Sequence, residues 1–229
     1  MTLKRSTIVL ALVVLTFNLI LHAQDRKRIT AHWTAGPIEI DGRLEESDWV
    51  LAEPVSNFVQ VEPREGGTPT ERTEVRVLFD QDRLYIGIYL YDSEPDRILI
   101  NDLQRDFETY EGDVFGVMVG GFHQHGATFS FFTNARGAKN DSQGLGDGRY
   151  SNFSWDGIWH TASQIQEDGW TCEIVIPFRT LRFEAQEEQV MGINFKRRIR
   201  RNNEDLYWSL VPRRYNVHRV SMAGDLLLE

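Results

Sequence analysis

Apolar and polar residues alternate with period two along most of this chain. The clearest case is WDGIWHTASQIQEDGWTCEIVIPF, Trp155 to Phe178. Ile158 to Gln166 alternates as a strand does, Glu167-Asp168-Gly169 is a turn signal, Trp170 to Ile176 alternates again, and Pro177 ends the run. Two such runs joined by a short Gly-containing loop predict a β-hairpin. Trp170, Cys172, Ile174 and Ile176 fall on one face and Thr171, Glu173 and Val175 on the other, so the first face is expected to meet the core.

The rest of the chain repeats the pattern with fewer signals. Ile38 to Gly42 predicts a short strand running into a turn. Arg43 to Ala52 predicts a short helix, with Leu44, Trp49 and Ala52 inward and Glu45 and Glu46 near its positive N-terminal end. Asn57 to Val61 and Thr73 to Phe79 predict strands, the second with Val75, Val77 and Phe79 inward. Pro63 to Pro69 is a loop, and Asp80-Gln81-Asp82 a turn. Leu84 to Tyr91 is apolar on both faces and predicts a central strand covered on both sides. Val114 to Val119, Ala127 to Thr133, Gly192 to Arg201, Leu206 to Val211 and Leu226 to Leu228 complete the set. Asn134 to Asn152 lacks periodicity and predicts a long functional or mobile loop. There is no internal repeat and no long amphipathic helix. The expected fold class is all-β: an antiparallel β-sandwich with one short helix near the N-terminus.

Composition narrows the function. The 229 residues carry a net charge of −9 and are 41% apolar, a normal globular balance. An acidic surface argues against a nucleic-acid partner, which needs a basic field. Lys4 and Arg5, the apolar Ile8 to Leu21, and Leu21-His22-Ala23 predict an export signal over residues 1–23. The apolar run is short for a membrane span of about 20 residues, although an uncleaved anchor is the alternative. Residues 24–35 are expected to be a linker and 36–229 one module, placed in the periplasm, on the outer membrane or outside the cell. The single cysteine, Cys172, excludes an internal disulfide and predicts a buried inert thiol. The apolar end, Leu226 to Glu229, reads as an edge strand or as a chain cut short, and the second is the expectation.

The run IDGRLEESDW (Ile40 to Trp49) together with EVRVLFDQDRLYIGIYLYD (Glu74 to Asp92) resembles family 9 carbohydrate-binding modules. GDVFGVMVGGF, FSFFTNARGAKND and WDGIWHTASQIQEDGWTCEIVIPFRTLRF extend the resemblance from Ile38 to the end of the chain. Its variant is similar to the N-terminal module of large bacterial exported proteins, which precedes a β-barrel-like domain of unknown function. The resemblance implies a β-sandwich, carbohydrate binding, frequent calcium, and association with glycoside-hydrolase systems and carbohydrate catabolism.

Sugar recognition needs an aromatic face for the pyranose C–H surface and charged or amide groups for the hydroxyls. Trp155 and Trp159, bracketing Asp156, are the stacking candidates, whereas Trp170 and Trp49 read as core and Trp208 is ambiguous. The resemblance implies a clamp of two tryptophans, of which only one half is matched. Arg136, Asn140, Asp141 and Arg105, with Asp106 beside the last, are the hydroxyl-binding candidates. Calcium would draw on oxygen ligands from Asp41, Asp113, Asp141, Asp147 and Asp156, with Asp113 and Asp156 the metal candidates. His123-Gln124-His125 resembles a metal pair without a third ligand. Arg197, Arg198, Arg200, Arg201, Arg213 and Arg214 form a basic cluster, expected to pair with Glu204 and Asp205 or else to dock acidic polysaccharide or lipopolysaccharide phosphates. A non-catalytic saccharide-binding module is the leading expectation. The rivals are a docking domain for an outer-membrane barrel or envelope partner with a degenerate sugar site, and a glycoside hydrolase using carboxylates among Asp113, Asp141, Asp156 and Glu173.

Overall fold

The computed structural model describes residues 26–121, 127–181 and 190–228. The export signal and the His123-Gln124-His125 pair lie outside the described residues. Thirteen strands are described: β1 (Arg28–Trp33), β2 (Val59–Glu62), β3 (Thr73–Phe79), β4 (Arg83–Tyr91), β5 (Val114–Gly121), β6 (Thr128–Asn134), β7 (Lys139–Leu145), β8 (Tyr150–Asn152), β9 (His160–Gln166), β10 (Gly169–Pro177), β11 (Val190–Ile199), β12 (Glu204–Tyr207) and β13 (Gly224–Leu228). The two α-helices described are short: α1 (Ser47–Leu51) and α2 (Phe178–Leu181).

The strands form one mixed, curled sheet. Its first half runs β8-β7-β6-β5-β11-β13-β1, with β12 and β2 extending from β11, and its second half runs β1-β3-β4-β10-β9. β1 joins the halves. Arg28 to Ala31 pair with β13, and His32 and Trp33 pair with β3. Both pairings are parallel, so the expectation of an all-antiparallel arrangement is corrected. The cause is local: an N-terminal strand sits between two strands that run its own way. The segment expected as a linker, 24–35, therefore contributes a strand with Ile29 and Ala31 buried.

Inward residues of both halves build one hydrophobic core. Val75, Val77, Ile86 and Ile88 from one side meet Phe115, Val117, Phe131 and Phe195 from the other, together with the predicted face Trp170, Cys172, Ile174 and Ile176. Cys172 is a buried free thiol, and burial pushes its pKa up, which keeps it protonated and inert. The hairpin of β9 and β10 pairs in register, Trp170 opposite Ile165 and Cys172 opposite Ser163.

Two loops differ from expectation. Ile38 to Gly42 is irregular rather than a strand, and Asn134 to Asn152 contains β7 and β8. β7 reads KNDSQGL, which has almost no apolar side chains to reveal a strand, yet it completes a ladder with β6. The Ile38 to Ala52 segment lies across the outer face of β4 and β10, where Trp49, Ala52, Leu78, Tyr85 and Val175 form a second cluster. Glu173 anchors it from beneath. Its carboxylate accepts the backbone N–H groups of Asp41 (3.0 Å) and Gly42 (2.9 Å) and the Trp49 indole N–H (3.2 Å). Gly87 admits the Trp49 ring, since a Cβ there would stand 2.8 Å from it.

Candidate functional site

The loop between β8 and β9 carries Trp155, Asp156, Gly157 and Trp159, and its Gly157 N–H reaches the Asp141 side chain of β7. Trp155 is half-buried, its ring 4.8 Å from Phe129 and 5.9 Å from Phe131 between centroids. The core thus supports the ring while part of its surface stays at the rim. Trp159 behaves differently. It is 1% exposed, packs edge-on to Phe131 at 5.3 Å, and has Lys139 Nζ 5.3 Å over its ring. A buried ring has no face to offer a sugar, so the expectation of Trp159 as a stacking residue is corrected.

Arg105 reaches the same place from the loop that precedes β5. That loop is strapped to β6 and β7 by three bonds: Asn134 Nδ2 donates to the Asp102 carbonyl (2.8 Å), the Asp106 N–H to the Lys139 carbonyl (2.8 Å), and Asn140 Nδ2 to the Phe107 carbonyl (3.1 Å). The Arg105 guanidinium then bridges Asp141 (2.7 Å) and Asp156 (2.7 Å), with a further Nε bond to Asp156 of 2.9 Å. Asp141 is buried and also accepts the Gly157 N–H at 2.5 Å. Its pKa is raised by burial, against the pull of Gly157 and Arg105. The Trp159 indole N–H turns toward Asp141 without closing a well-aligned bond. Asp141 thus fixes Arg105 from the inside, and Asp156, its side chain 73% exposed, faces solvent.

The structure brings Trp155, Arg105, Asp141 and Asp156 together, with Asn140 as a strap rather than a free amide. Arg136 sits apart on the β6–β7 turn, its side chain exposed and its N–H bonded to Asn134 Oδ1 (3.0 Å). Asp113 is not at the site. It is buried, and its oxygens accept the N–H groups of Leu99 (2.7 Å) and Arg200 (3.4 Å), closing the base of the Arg105 loop. It therefore forms no metal pair with Asp156, and that expectation is corrected.

Among the described residues, carboxylate oxygens of Asp106, Asp141 and Asp156 lie within 4.8 Å of one another. They do not suit calcium in this arrangement. The Arg105 guanidinium already bonds Asp141 and Asp156 at 2.7 Å, and a divalent ion would have to displace it. The basic cluster is divided as well. Arg198 and Lys196 pair with Asp205 (2.8 and 3.1 Å), but Arg197 is buried and bonds β3 and β4 instead, while Glu204 accepts from Gln60 and Thr70. Glu173, a hydrolase candidate, has its carboxylate fully occupied by the α1 segment.

Two concavities lie on the second half-sheet. One of about 690 Å³ takes Ile158 and His160 from the end of the candidate loop together with Arg83, Phe178 and Arg179. Another, about 670 Å³, lies on the outer face of β3, β4, β10 and β9 and includes Tyr89, Tyr91, Gln164 and Gln166. The sequence reading passed over these four residues. The signal was present: Tyr85, Gly87, Tyr89 and Tyr91 alternate with Leu84, Ile86, Ile88 and Leu90, so β4 has one aliphatic face and one aromatic, polar-tipped face.

The sequence profile of the carbohydrate family 9 binding domain-like family matches residues 40–205. No curated protein matches the chain. Among solved structures, a Bacteroides uniformis ATCC 8492 protein to which carbohydrate binding is ascribed aligns with a TM-score of 0.69 at 13% identity, over 90% of this chain and 100% of its own. A carbohydrate binding module family 9 from Caldicellulosiruptor kristjanssonii in complex with glucose aligns with a TM-score of 0.61 at 16% identity, over 89% and 96%. Its complex with cellotriose aligns at 0.58 and 17%, over 89% and 94%. At these identities the structures speak for the fold, and the profile, which spans most of the chain, for the family: the chain belongs to the carbohydrate family 9 binding domain-like family.

Proposed function

We propose that this chain is a non-catalytic module that binds a neutral saccharide at the rim formed by Trp155, Arg105 and Asp156. The observation that carries the placement is the half-buried Trp155 ring, held by Phe129 and Phe131 beside a fixed guanidinium–carboxylate pair. A pyranose would lay its C–H face on the ring and exchange hydroxyl hydrogen bonds with Arg105 and Asp156, groups whose charge strengthens each bond. Asp141 orients Arg105 and does not itself meet the sugar. Family membership and neighbours solved with glucose and cellotriose support the ligand class. An exported setting, as the first 23 residues lead one to expect, and a role in carbohydrate catabolism, as the family resemblance implies, are part of this proposal.

Titration calorimetry with glucose and cellotriose tests it. Heat that falls at least tenfold in apparent affinity in Trp155→Ala supports the reading, with unfolding curves confirming that the variant is folded. Heat unchanged in that variant moves the site elsewhere, and no heat with either sugar from folded protein overturns the proposal.

A further inference from the structure

On the outer face of the second half-sheet, a row of side chains runs across four strands in register. Glu74 of β3 stands opposite Tyr89 of β4, Tyr89 opposite Thr171 of β10, and Thr171 opposite Gln164 of β9. Facing residues of a ladder point to one side, so this row forms a floor about 14 Å wide at the usual strand spacing. A neighbouring row adds Tyr91 and Gln166. The Tyr89 and Tyr91 rings stack at 4.3 Å between centroids with planes 24° apart.

The floor is walled and fixed. The α1 segment closes one end with Trp49 and Arg43, giving the concavity of about 670 Å³. Tyr89 donates its hydroxyl hydrogen to Asp168 (2.6 Å), Gln164 Nε2 donates to the Asp41 carbonyl (3.1 Å), and Gln166 Nε2 donates to Thr171 Oγ1 (3.1 Å). Glu74 lies 3.4 Å from Arg72 and 3.5 Å from Arg76. The rings and amides are only partly buried, so they keep surface to offer. Charges of both signs alternate around the groove, which gives no net field for an anion. Flat aromatic surface beside amide, carboxylate and guanidinium groups of fixed orientation is the chemistry that recognises a polyhydroxylated, uncharged ring system.

We infer that this groove is a second saccharide-binding site, separate from the Trp155 rim, which takes a short neutral oligosaccharide laid across β3, β4, β10 and β9. Tyr89 supplies the stacking surface, backed by Tyr91, whose ring is already stacked on Tyr89 and covered by the Arg72 guanidinium at 3.9 Å, and Gln164, Gln166, Glu74 and Arg76 supply the hydroxyl partners. The inference rests on the carbohydrate reading above but not on its placement. Two sites on one module would let it bridge neighbouring chains of a polysaccharide, raising avidity without tighter individual contacts.

NMR titration of the chain with glucose, cellotriose and mannotriose distinguishes the sites. With at least one trisaccharide, the side-chain amide signals of Gln164 and Gln166 and the ring signals of Tyr89 and Tyr91 are expected to shift. Tyr89→Ala should weaken that transition at least tenfold, and Gln164→Ala, on the edge strand β9, several-fold; Trp155→Ala should leave it unchanged. Groove signals that stay still with all three sugars while Trp155 responds overturn this inference and leave the rim site standing. Groove signals that shift while Trp155 stays still uphold it and remove the rim placement. Shifts that neither groove variant weakens overturn it, and silence of both regions overturns both readings.

Discussion

Two arginine–carboxylate clusters in this molecule share their chemistry and differ in everything around it. Arg197 and Arg201 meet Asp92 and Glu71 in the interior. Arg197 is 1% exposed and donates to the Arg72 carbonyl (2.8 Å), Thr73 Oγ1 (3.0 Å) and the Tyr91 carbonyl (2.7 Å), while Arg201 bonds Asp92 (2.6 Å) and Glu71 (3.0 Å). Arg105 meets Asp141 and Asp156 at the surface, with 37% of its side chain exposed and Trp155 beside it. The first cluster ties β11 of one half-sheet to β3 and β4 of the other. The second leaves one carboxylate in water. A guanidinium whose donors are spent on buried carbonyls can only hold the fold together. One whose outer partner is solvated can trade that water for sugar hydroxyls.

The contrast breaks most sharply at Arg197. Arg197→Met would remove the guanidinium that reaches the Arg72 and Tyr91 carbonyls and Thr73 Oγ1 in the interior, and would leave Asp92 to Arg201 and the Glu94 N–H. Removing one partner of a buried charged network costs about 3–5 kcal/mol. Denaturant unfolding should show a loss of that order, with sugar affinity of the remaining folded protein unchanged. A loss below about 1 kcal/mol would mean that the interior cluster does not staple the half-sheets.

Glu173 comes next, as a buried carboxylate without an arginine. Glu173→Gln can keep an oxygen toward the Asp41 and Gly42 N–H groups but turns an NH₂ toward the Trp49 N–H. A loss of about 1–3 kcal/mol is expected from the orphaned donor. The pH dependence sharpens the test. Burial raises the Glu173 pKa from 4.5 to about 7. A folded-state pKa above the unfolded one gives stability that is fully present below the unfolded value and lost as pH rises through the folded one. The gap between wild type and Glu173→Gln should therefore widen as pH falls from about 8 to about 5. His218 acts the opposite way: burial lowers its pKa from 6.5 to about 4, so its contribution is lost on acidification in both proteins and cancels in the difference.

Arg105→Gln belongs to the surface cluster and should reverse the pattern of Arg197→Met. Stability should fall by about 1–3 kcal/mol, less than for Arg197→Met, since Asp156 is in water but the buried Asp141 loses its guanidinium. Affinity for glucose or cellotriose should fall about tenfold, equivalent to about 1.4 kcal/mol. A large stability loss with intact affinity would turn the rim cluster into a second staple.

The same contrast explains what the sequence disclosed. The core face of β10 was legible because Trp170, Cys172, Ile174 and Ile176 alternate with polar neighbours, and Trp155 because it sits in a polar loop beside Asp156. Trp159 was misread because a single tryptophan at a loop–strand junction gives no period to orient it. Asp113 and Asp156 look alike in sequence, and only the fold separates them, by burying one against the Leu99 and Arg200 N–H groups. Arg197 was grouped with its neighbours in one basic cluster, since the residues it bonds, Arg72, Thr73 and Tyr91, lie more than a hundred positions away. β1 and β7 were missed for opposite reasons. β1 is too short and charged at its start to stand out from the expected linker, and β7 is too polar to show a strand period.

The finest division of the surface cluster is between its own two carboxylates. Asp156→Asn keeps an oxygen to accept from Arg105 and removes only a charge that is mostly in water. Stability should change by less than about 0.5 kcal/mol. Affinity should fall a few-fold, because an amide bonds a hydroxyl more weakly than a carboxylate does. Asp141→Asn differs although the atoms changed are the same. Its NH₂ would face either the Gly157 N–H or the Arg105 guanidinium in a buried setting, so it should lose more stability and, by releasing Arg105, more affinity. If unfolding and calorimetry rank the two substitutions the other way, Asp141 does not position Arg105, and Asp156 carries the polar half of the rim without it.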